Sequence, residues 1–456
     1  MRSTLAQKTA FALLLGLAGF ITLAYGGVHQ PIISVYYVAI ALAILLVGVD
    51  AFRSGSIAVD KSYVSVVILA ASAYGFFQVI PFGEAAAAAS GLSGIPATIS
   101  IDPFATKQSA IGLFALFLLL TAFVAVFDKA KRIHKAVIAI TIFGFAYAFF
   151  AILQSFLSPG KIYGIYEVNA QTSFGSFVNR HNFAAFMEMA IALPLGLLFA
   201  GAVERDKRLL YITAVTLMGV ALLLSGSRGG LVAFLAQLVF LALVTLGKGG
   251  GRKLALRIAL VVLLFAAIVG GSIFVGGESS LTRIADTATS DNITSDRSHI
   301  WGVTLKMIAA NMPFGAGLGA YGVAYTPHDS LTGLERVEQA HNDYLQVLSD
   351  AGLPGLIIGG VFLFLIYRLA RQGMSVGNQW RRAVAVGAAS GIFAILVHSI
   401  FDFVLHINAI SVTFVMLIAV LIAARESYDD DFQDDPAAKH RPRSRSSKGK
   451  IARFRK

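Results

Sequence analysis

The composition of this chain is that of a membrane protein. Of its 456 residues, 57% are hydrophobic and 14% are charged, and the mean hydropathy is +0.74. The formal net charge is +12, and the chain has no cysteine. These values exclude a soluble globular fold, a disulfide framework, a thiolate nucleophile and a cysteine-bound metal.

Twelve apolar runs are long enough to cross a bilayer. Each is close to the roughly 20 residues that an α-helix needs to span the hydrocarbon core. Lipid forces these runs to be helical, because unpaired backbone groups are too costly there. We therefore predict an all-α polytopic membrane protein with about 12 transmembrane helices, the first of them uncleaved. The predicted spans are 11–27, 32–49, 63–82, 108–127, 136–155, 182–202, 209–225, 229–246, 257–275, 354–368, 383–402 and 409–424.

The basic residues predict the orientation of these spans. Of the 37 Lys and Arg residues, 29 lie in the two terminal segments and in the alternate loops on the same side as the termini. The positive-inside rule assigns that side to the cytoplasm. The other eight belong to the outer face: Lys107, Lys161, Arg180, Arg228, Arg283, Arg297, Lys306 and Arg336.

The spans divide the chain into four regions. We predict an N-terminal transmembrane bundle over 1–275, a large outer loop with short helices over 276–353, and C-terminal transmembrane helices over 354–424. Residues 425–456 form an acidic, then basic tail that we expect to be disordered and cytoplasmic. Long loops with their own sequence character often carry function. We therefore expect the functional site in the outer loop.

A short amphipathic helix is predicted at the end of this loop, over 339–355. Its apolar residues recur at helical spacing, and Gly352 followed by Pro354 supplies a stop. His341 and Asn342 stand at its start, so that a titratable imidazole lies at the outer membrane surface. The alternative is that His341 is a structural residue that bonds nearby backbone.

Three arginines of the outer face are candidates for anion binding. Arg228 lies in the tight turn between the seventh and eighth spans; its alternative is a snorkelling interfacial arginine. Arg180 begins the sixth span, where His181 and Glu188 share one helix face. Because an acid inside a span is normally paired, we expect Glu188 to share a pocket with an arginine. Arg297 is the third candidate, and its alternative is a solvated loop charge.

Several arginines and one histidine at this surface fit a diphosphate substrate. Planar guanidinium groups match phosphate oxygens and keep their charge at any depth. A neutral imidazole can accept the proton of an attacking alcohol while arginines stabilise the departing diphosphate. This combination describes glycosyl transfer from a lipid diphosphate.

These motifs, over about 170–420, resemble the bacterial O-antigen ligase/polymerase superfamily. The residues that carry the resemblance are His341-Asn342-x-x-Leu345-Gln346, Ala351-Gly352-Leu353-Pro354-Gly355, Arg297-x-x-x-Trp301, Pro313-x-Gly315-x-Gly317-x-Gly319, Ser225-Gly226-Ser227-Arg228-Gly229 and Asn179-Arg180-His181-Asn182. The resemblance implies a GT-C-type, inverting, metal-independent glycosyltransferase of the bacterial inner membrane that needs no cofactor. Its donor would be an undecaprenyl-diphosphate-linked glycan, and its acceptor a glycan or lipid A-core, at the periplasmic face.

The resemblance also implies roles for single residues. His341 would activate or orient the acceptor hydroxyl, and Arg228 would contact the donor diphosphate. Arg180 and Arg297 match the family pattern more loosely and would share that contact. Asn342, Glu188 and His181 would support the site. The motifs leave open whether the chain is a ligase, a polymerase or a protein O-oligosaccharyltransferase.

Other functions fit the sequence less well than a glycosyltransferase does. A transporter of a small solute or anion would place ionisable residues near the bilayer midplane, but Glu188 is the only acid well inside a predicted span. A structural scaffold would not need this outer-face chemistry. His398, Asp402 and His406 lack the further ligands of a metal site and predict a polar patch instead. The basic tail predicts contact with anionic inner-leaflet lipids rather than with nucleic acid.

Overall fold

The computed structural model describes residues 4–83, 97–169, 172–245, 295–330 and 336–425, together with the isolated positions 266 and 270. These residues are mostly helical. The α-helices are α1 Leu5–Leu23, α2 Gln30–Ser54, α3 Val64–Gln78, α4 Pro103–Val126, α5 Ala130–Leu157, α6 Arg180–Phe199, α7 Arg208–Leu224, α8 Arg228–Thr245, α9 Ser295–Asn311, α10 Tyr321–Tyr325, α11 Asp343–Met374, α12 Gln379–His398 and α13 Asn408–Arg425. A two-stranded antiparallel hairpin, β1 Lys161–Ile162 and β2 Tyr166–Glu167, follows α5.

The prediction of an all-α polytopic membrane protein is confirmed. Ten helices of the described residues are long and apolar enough to cross a membrane, and α3 is a shorter apolar helix. The predicted span at 257–275 lies outside the described residues. The total of twelve spans and the GT-C architecture therefore stay predictions.

Helices α6, α12 and α13 form the interior of the described bundle. The apolar windows of α6 and α13 are 94% and 89% buried, whereas that of α2 is only 22% buried. Helices α6 and α12 touch through their backbones, since a Cβ atom on Gly196 would lie 2.4 Å from the Cα atom of Gly387. Small residues permit such close approach between membrane helices. The contact fixes α6 against α12 and thereby aligns their polar ends.

Helix α11 is broken near its start. Gly352 has φ 58° and ψ −146°, which is not helical, and the following Leu353 N–H donates to the carbonyl oxygen of Pro313 at 2.9 Å. The predicted stop at Gly352 is thus present. However, the chain resumes a helix at once, and the predicted span 354–368 forms the later part of α11, which ends at Met374.

The glycine run 313–319 packs against this break. Its backbone is held by Gln78 at the end of α3, whose Nε2 donates to the carbonyl oxygens of Phe314 at 3.0 Å and of Asp350 at 2.9 Å. The Oε1 atom of Gln78 accepts from the Leu318 N–H at 3.0 Å. The outer segment between α9 and α10 is therefore tied to both α3 and α11.

Candidate active site

The candidate active site lies where several helix ends meet. His341 precedes α11, and its Nδ1 lies 3.0 Å from the Oδ1 of Asp402, which follows α12. The side chain of Asp402 is 2% exposed and that of His341 is 32% exposed. An ionised carboxylate can only accept hydrogen bonds, so a neutral His341 donates from Nδ1 and keeps the lone pair on Nε2. The pair therefore presents a proton acceptor to an accessible surface.

The backbone of His341 is itself unusual. Its φ is +49°, in the left-handed region, where His, Asn and Asp are the side chains most often found after glycine. The imidazole packs edge-on against Phe403 with a centroid distance of 4.9 Å. Backbone conformations of this kind cluster at functional sites. The backbone angle, the Phe403 contact and the Asp402 bond together fix the orientation of the His341 imidazole.

Asp402 is held as an anion. Burial alone would raise its pKa, but the hydrogen bond from His341 and the nearby His181 and Arg297 hold the pKa of Asp402 below its ordinary value. The Nη2 atom of Arg297 lies 3.3 Å from Asp402 Oδ2, and Nη1 donates to the carbonyl oxygen of Phe401. Arg297 is thus an ion-pair partner within the site, and the alternative of a solvated loop charge is wrong.

The start of α11 is anchored to the loop after α12. Asn342 caps the helix, accepting from the N–H groups of Tyr344 and Leu345 at 3.0 Å each. Its Nδ2 also donates to the Ile400 carbonyl oxygen at 3.0 Å. Cap bonds of this type satisfy the free N–H groups of a first helical turn. Because Asn342 directly follows His341 in the chain, these bonds also fix the backbone next to His341.

Asp343 adds a second anchor to the same loop. Its Oδ2 accepts from Ser399 Oγ at 2.7 Å, and its Oδ1 lies 3.0 Å from His406 Nδ1. The backbone N–H of Asp343 donates to the Ser399 carbonyl oxygen at 2.9 Å. The cap residue Asn342 and the first residue of α11, Asp343, are thus both bonded to the segment that carries Asp402. This explains how residues 61 positions apart come to share one hydrogen bond.

The turn between α7 and α8 forms another wall. His181 Nδ1 lies 2.8 Å from Ser227 Oγ. A Cβ atom on Gly226 would lie 3.5 Å from Nη1 of Arg180, so Arg180 borders the same turn. Arg228 is the first residue of α8, directly after Ser227. The N-termini of α6 and α8, which carry positive partial charge, therefore meet here beside two arginines.

A fully buried pair of hydrogen-bonded side chains lies beneath this turn. Glu188 Oε1 and His398 Nδ1 are 2.9 Å apart, and both side chains have 0% exposure. Glu188 shares its pocket with a histidine, whereas the sequence had suggested an arginine. A Cβ atom on Gly229 would lie 3.3 Å from His398 Nε2, and one on Gly230 would lie 3.2 Å from Glu188 Oε1. The two glycines let the first turn of α8 rest on the pair.

The structure therefore gathers the predicted residues at one end of the bundle. His341 and Arg297 meet at Asp402, and Asn342 lies next to them in the chain. The others surround the turn between α7 and α8: Arg180, His181, Glu188 and Arg228. Their roles in catalysis or binding stay predictions.

Comparison with known families bears on this arrangement. Residues 213–360 match the family model described as O-antigen ligase. The match covers about a third of the chain, and this stretch is similar to the O-antigen ligase family. The resemblance seen in the sequence motifs is thereby confirmed, and the domain supports a ligase- or polymerase-type function in general. A comparison with curated proteins found no match.

The matched stretch, residues 213–360, holds only part of the site. It includes Arg228, Arg297 and His341, whereas α6 precedes it and Asp402 follows it. The sequence placed Asp402 in a polar patch but did not connect it with His341. The available signal was an acid directly after an apolar span, on the same side as His341. The spacing of residues in the sequence does not show how the loop after α12 folds back to bring Asp402 to His341.

Proposed function

We propose that this protein transfers a glycan from undecaprenyl diphosphate to an acceptor hydroxyl at the periplasmic face of the bacterial inner membrane. The observation that carries the proposal is the His341–Asp402 pair, whose Nδ1 and Oδ1 atoms are 3.0 Å apart; His341 lies in the stretch that matches the O-antigen ligase model. A buried carboxylate bonded to an accessible imidazole is the arrangement of a general base.

In the proposed reaction, Nε2 of His341 accepts the proton of the acceptor hydroxyl. The hydroxyl oxygen forms a bond to the anomeric carbon of the donor glycan while the bond from that carbon to the diphosphate oxygen breaks. Undecaprenyl diphosphate leaves with the bonding electrons. Because the displacement is direct, the configuration at the anomeric carbon inverts. The proton stays on His341, whose charge is stabilised by Asp402.

The leaving diphosphate is assigned to the turn between α7 and α8. Arg180 and Arg228 border this turn, where the N-termini of α6 and α8 add positive partial charge. Arg297 already bonds Asp402 and Phe401, so its first role is to hold the carboxylate. We therefore place the diphosphate beside Arg180 and Arg228, and the acceptor hydroxyl beside His341.

The test is complementation of a strain that lacks the gene. His341→Ala should abolish surface glycan while leaving the amount of protein in the membrane normal. His299→Ala is the matched control, since this histidine belongs to the same outer segment and pairs with Asp329 at 2.8 Å. Arg228→Lys keeps the charge but removes the planar fork, and it should raise the donor concentration needed for half-maximal rate.

The lipid-linked pool separates the possible activities. Long chains accumulating on undecaprenyl diphosphate would identify a ligase for lipid A-core or another acceptor. Single repeat units accumulating there would identify a polymerase. If the pool and the surface glycan are both unchanged in His341→Ala, the proposal is wrong and transport becomes the leading hypothesis.

A further inference from the structure

A cluster of aromatic rings lies at the same end of the bundle as the candidate active site. It consists of Tyr25, His29, Tyr163 and Tyr166, which we call the tyrosine cluster. Tyr25 lies 4.9 Å from Tyr166 and 5.9 Å from Tyr163 between ring centroids, and His29 lies 5.6 Å from Tyr166. Tyr163 and Tyr166 are each 38% exposed. The rings thus pack together and still present faces to the outside.

The cluster is built by two strained backbone positions. Tyr25 has φ +57° and Tyr163 has φ +58°. A bulky residue in the left-handed region is a true outlier, and such outliers concentrate where function demands them. The hairpin that carries Tyr163 is fastened by its backbone N–H, which donates to Gln154 Oε1 at 2.8 Å, and by its hydroxyl, which donates to the Leu23 carbonyl oxygen. The strain is therefore held in place from two sides.

One polar group of the cluster lacks a partner. The Nε2 atom of His29 is buried and forms no hydrogen bond with any described residue. Buried polar atoms are nearly always satisfied, so an unsatisfied one calls for an explanation. Here it lies among tyrosine rings whose hydroxyl groups can both donate and accept. The surface combines flat apolar faces with hydrogen-bonding groups.

The cluster is continuous with the candidate active site. A Cβ atom on Gly26, directly after Tyr25, would lie 2.7 Å from the ring of Phe177, three residues before Arg180. On the other side, Asn408 Nδ2 donates to the Gly27 carbonyl oxygen at 2.8 Å. Asn408 follows the loop that contains Asp402. The two glycines that follow Tyr25 thus contact the segment before Arg180 and the segment after Asp402.

We propose that the tyrosine cluster is a saccharide subsite that holds a sugar residue of the glycan beside the candidate active site. The C–H faces of a pyranose pack on aromatic rings, and its hydroxyl groups suit phenol and imidazole partners. That this sugar belongs to a transferred glycan rests on the proposed function. Aromatic residues that merely anchor a membrane interface do not need a buried nitrogen without a hydrogen bond, as His29 Nε2 is here.

The experiment is a binding measurement on the purified full-length protein in nanodiscs. The probe is the oligosaccharide released by mild acid from the undecaprenyl-linked pool of the producing strain, titrated calorimetrically. All variants carry His341→Ala, so that no turnover occurs. Tyr166→Ala should weaken binding about two- to tenfold, the value of one aromatic contact. Tyr166→Phe keeps the ring and should bind more tightly than Tyr166→Ala.

Tyr63→Ala provides the matched control. This tyrosine also has a left-handed backbone, with φ +65°, and is 64% exposed, but it precedes α3 at the opposite end of the bundle. Binding that is equal in Tyr166→Ala and Tyr63→Ala, or absent in the parent protein, would overturn the subsite. If binding depends on Tyr166 while the enzyme with His341 intact transfers no glycan, the subsite stands and the proposed function fails.

Discussion

At the scale of single residues, Asp402 determines which nitrogen of His341 can act. Its Oδ1 faces Nδ1 of the imidazole and also accepts from the Phe403 N–H at 2.9 Å. The carboxylate thereby selects the tautomer in which Nε2 is free to accept a proton. This dependence makes Asp402 as testable as the histidine itself.

Asp402→Asn should lower the transfer rate by roughly 10²- to 10⁴-fold, the usual contribution of a general base. The amide can present its NH₂ group to Nδ1, which favours a proton on Nε2 and removes the acceptor. Single-turnover assays with a lipid-linked donor measure the rate. Thermal unfolding shows whether the variant is folded. A folded Asp402→Asn protein with a rate within twofold of the wild type would exclude the general-base role.

The same carboxylate should make the fold sensitive to acid. Since folding holds the pKa of Asp402 below its ordinary value of 3.8, folding favours the ionised form. That stabilisation is present above pH 3.8 and is lost as the pH falls through the folded-state pKa. As the pH falls below 3.8, unfolding temperatures should therefore decline more steeply in the wild type than in Asp402→Asn. Parallel declines in the two proteins would contradict this account.

Much of the residue chemistry could be predicted from the sequence. His341, Arg180, Arg228 and Arg297 lie at one end of the bundle, as their places in the outer segments suggested. The partner of Glu188 was predicted wrongly, because a sequence shows that a buried acid needs a partner but not which helix provides it. His398 reaches Glu188 through the packing of α12 on α6, a contact between positions 210 residues apart.

At the scale of elements, the break in α11 is the feature that a single substitution tests best. A Cβ atom on Gly352 would lie 2.2 Å from the carbonyl oxygen of Pro313, and its φ and ψ suit glycine alone. Gly352→Ala should destabilise the protein by roughly 1–3 kcal/mol or more. Gly359→Ala is the control on the same helix, because a Cβ atom there would meet nothing within 4 Å. Equal unfolding temperatures for the two variants would contradict the strain argument.

The sequence predicted the break at Gly352 but not the structure around it. Glycine followed by proline is a stop signal in any helix, so the end of the first segment was readable. The same two residues do not say that the helix will resume, nor that the glycine run 313–319 will fill the gap. That outcome depends on Gln78, which lies in another part of the chain.

At the scale of the whole molecule, the orientation in the membrane is open to a direct test. The chain has no cysteine, so a single introduced thiol is labelled without background. Ile165, 78% exposed on the hairpin after α5, and Ser56, exposed between α2 and α3, mark opposite ends of the bundle. Ile165→Cys should react with an impermeant maleimide in spheroplasts, and Ser56→Cys only after lysis. The reverse pattern would invert the predicted topology.

Hydropathy and charge carried most of the large-scale prediction, because lipid imposes both helix formation and span length. What they could not give is the order of the helices in space. The close contact of Gly196 with Gly387 depends on two small residues among many and is invisible to periodicity. The predicted regions 1–275, 276–353, 354–424 and 425–456 remain predictions, and the site draws residues from the first three.

The bond between Arg297 and Asp402 has a consequence for the timing of the reaction. A carboxylate that bonds both an arginine and an imidazole is a weaker partner for each of them. A donor diphosphate that attracted Arg297 toward itself would leave more of the Asp402 charge to His341 and so strengthen the imidazole as a base. Before the donor binds, His341 would then be a weaker base. The imidazole would thus become a strong base only once a donor is bound, so that an acceptor hydroxyl arriving first would keep its proton.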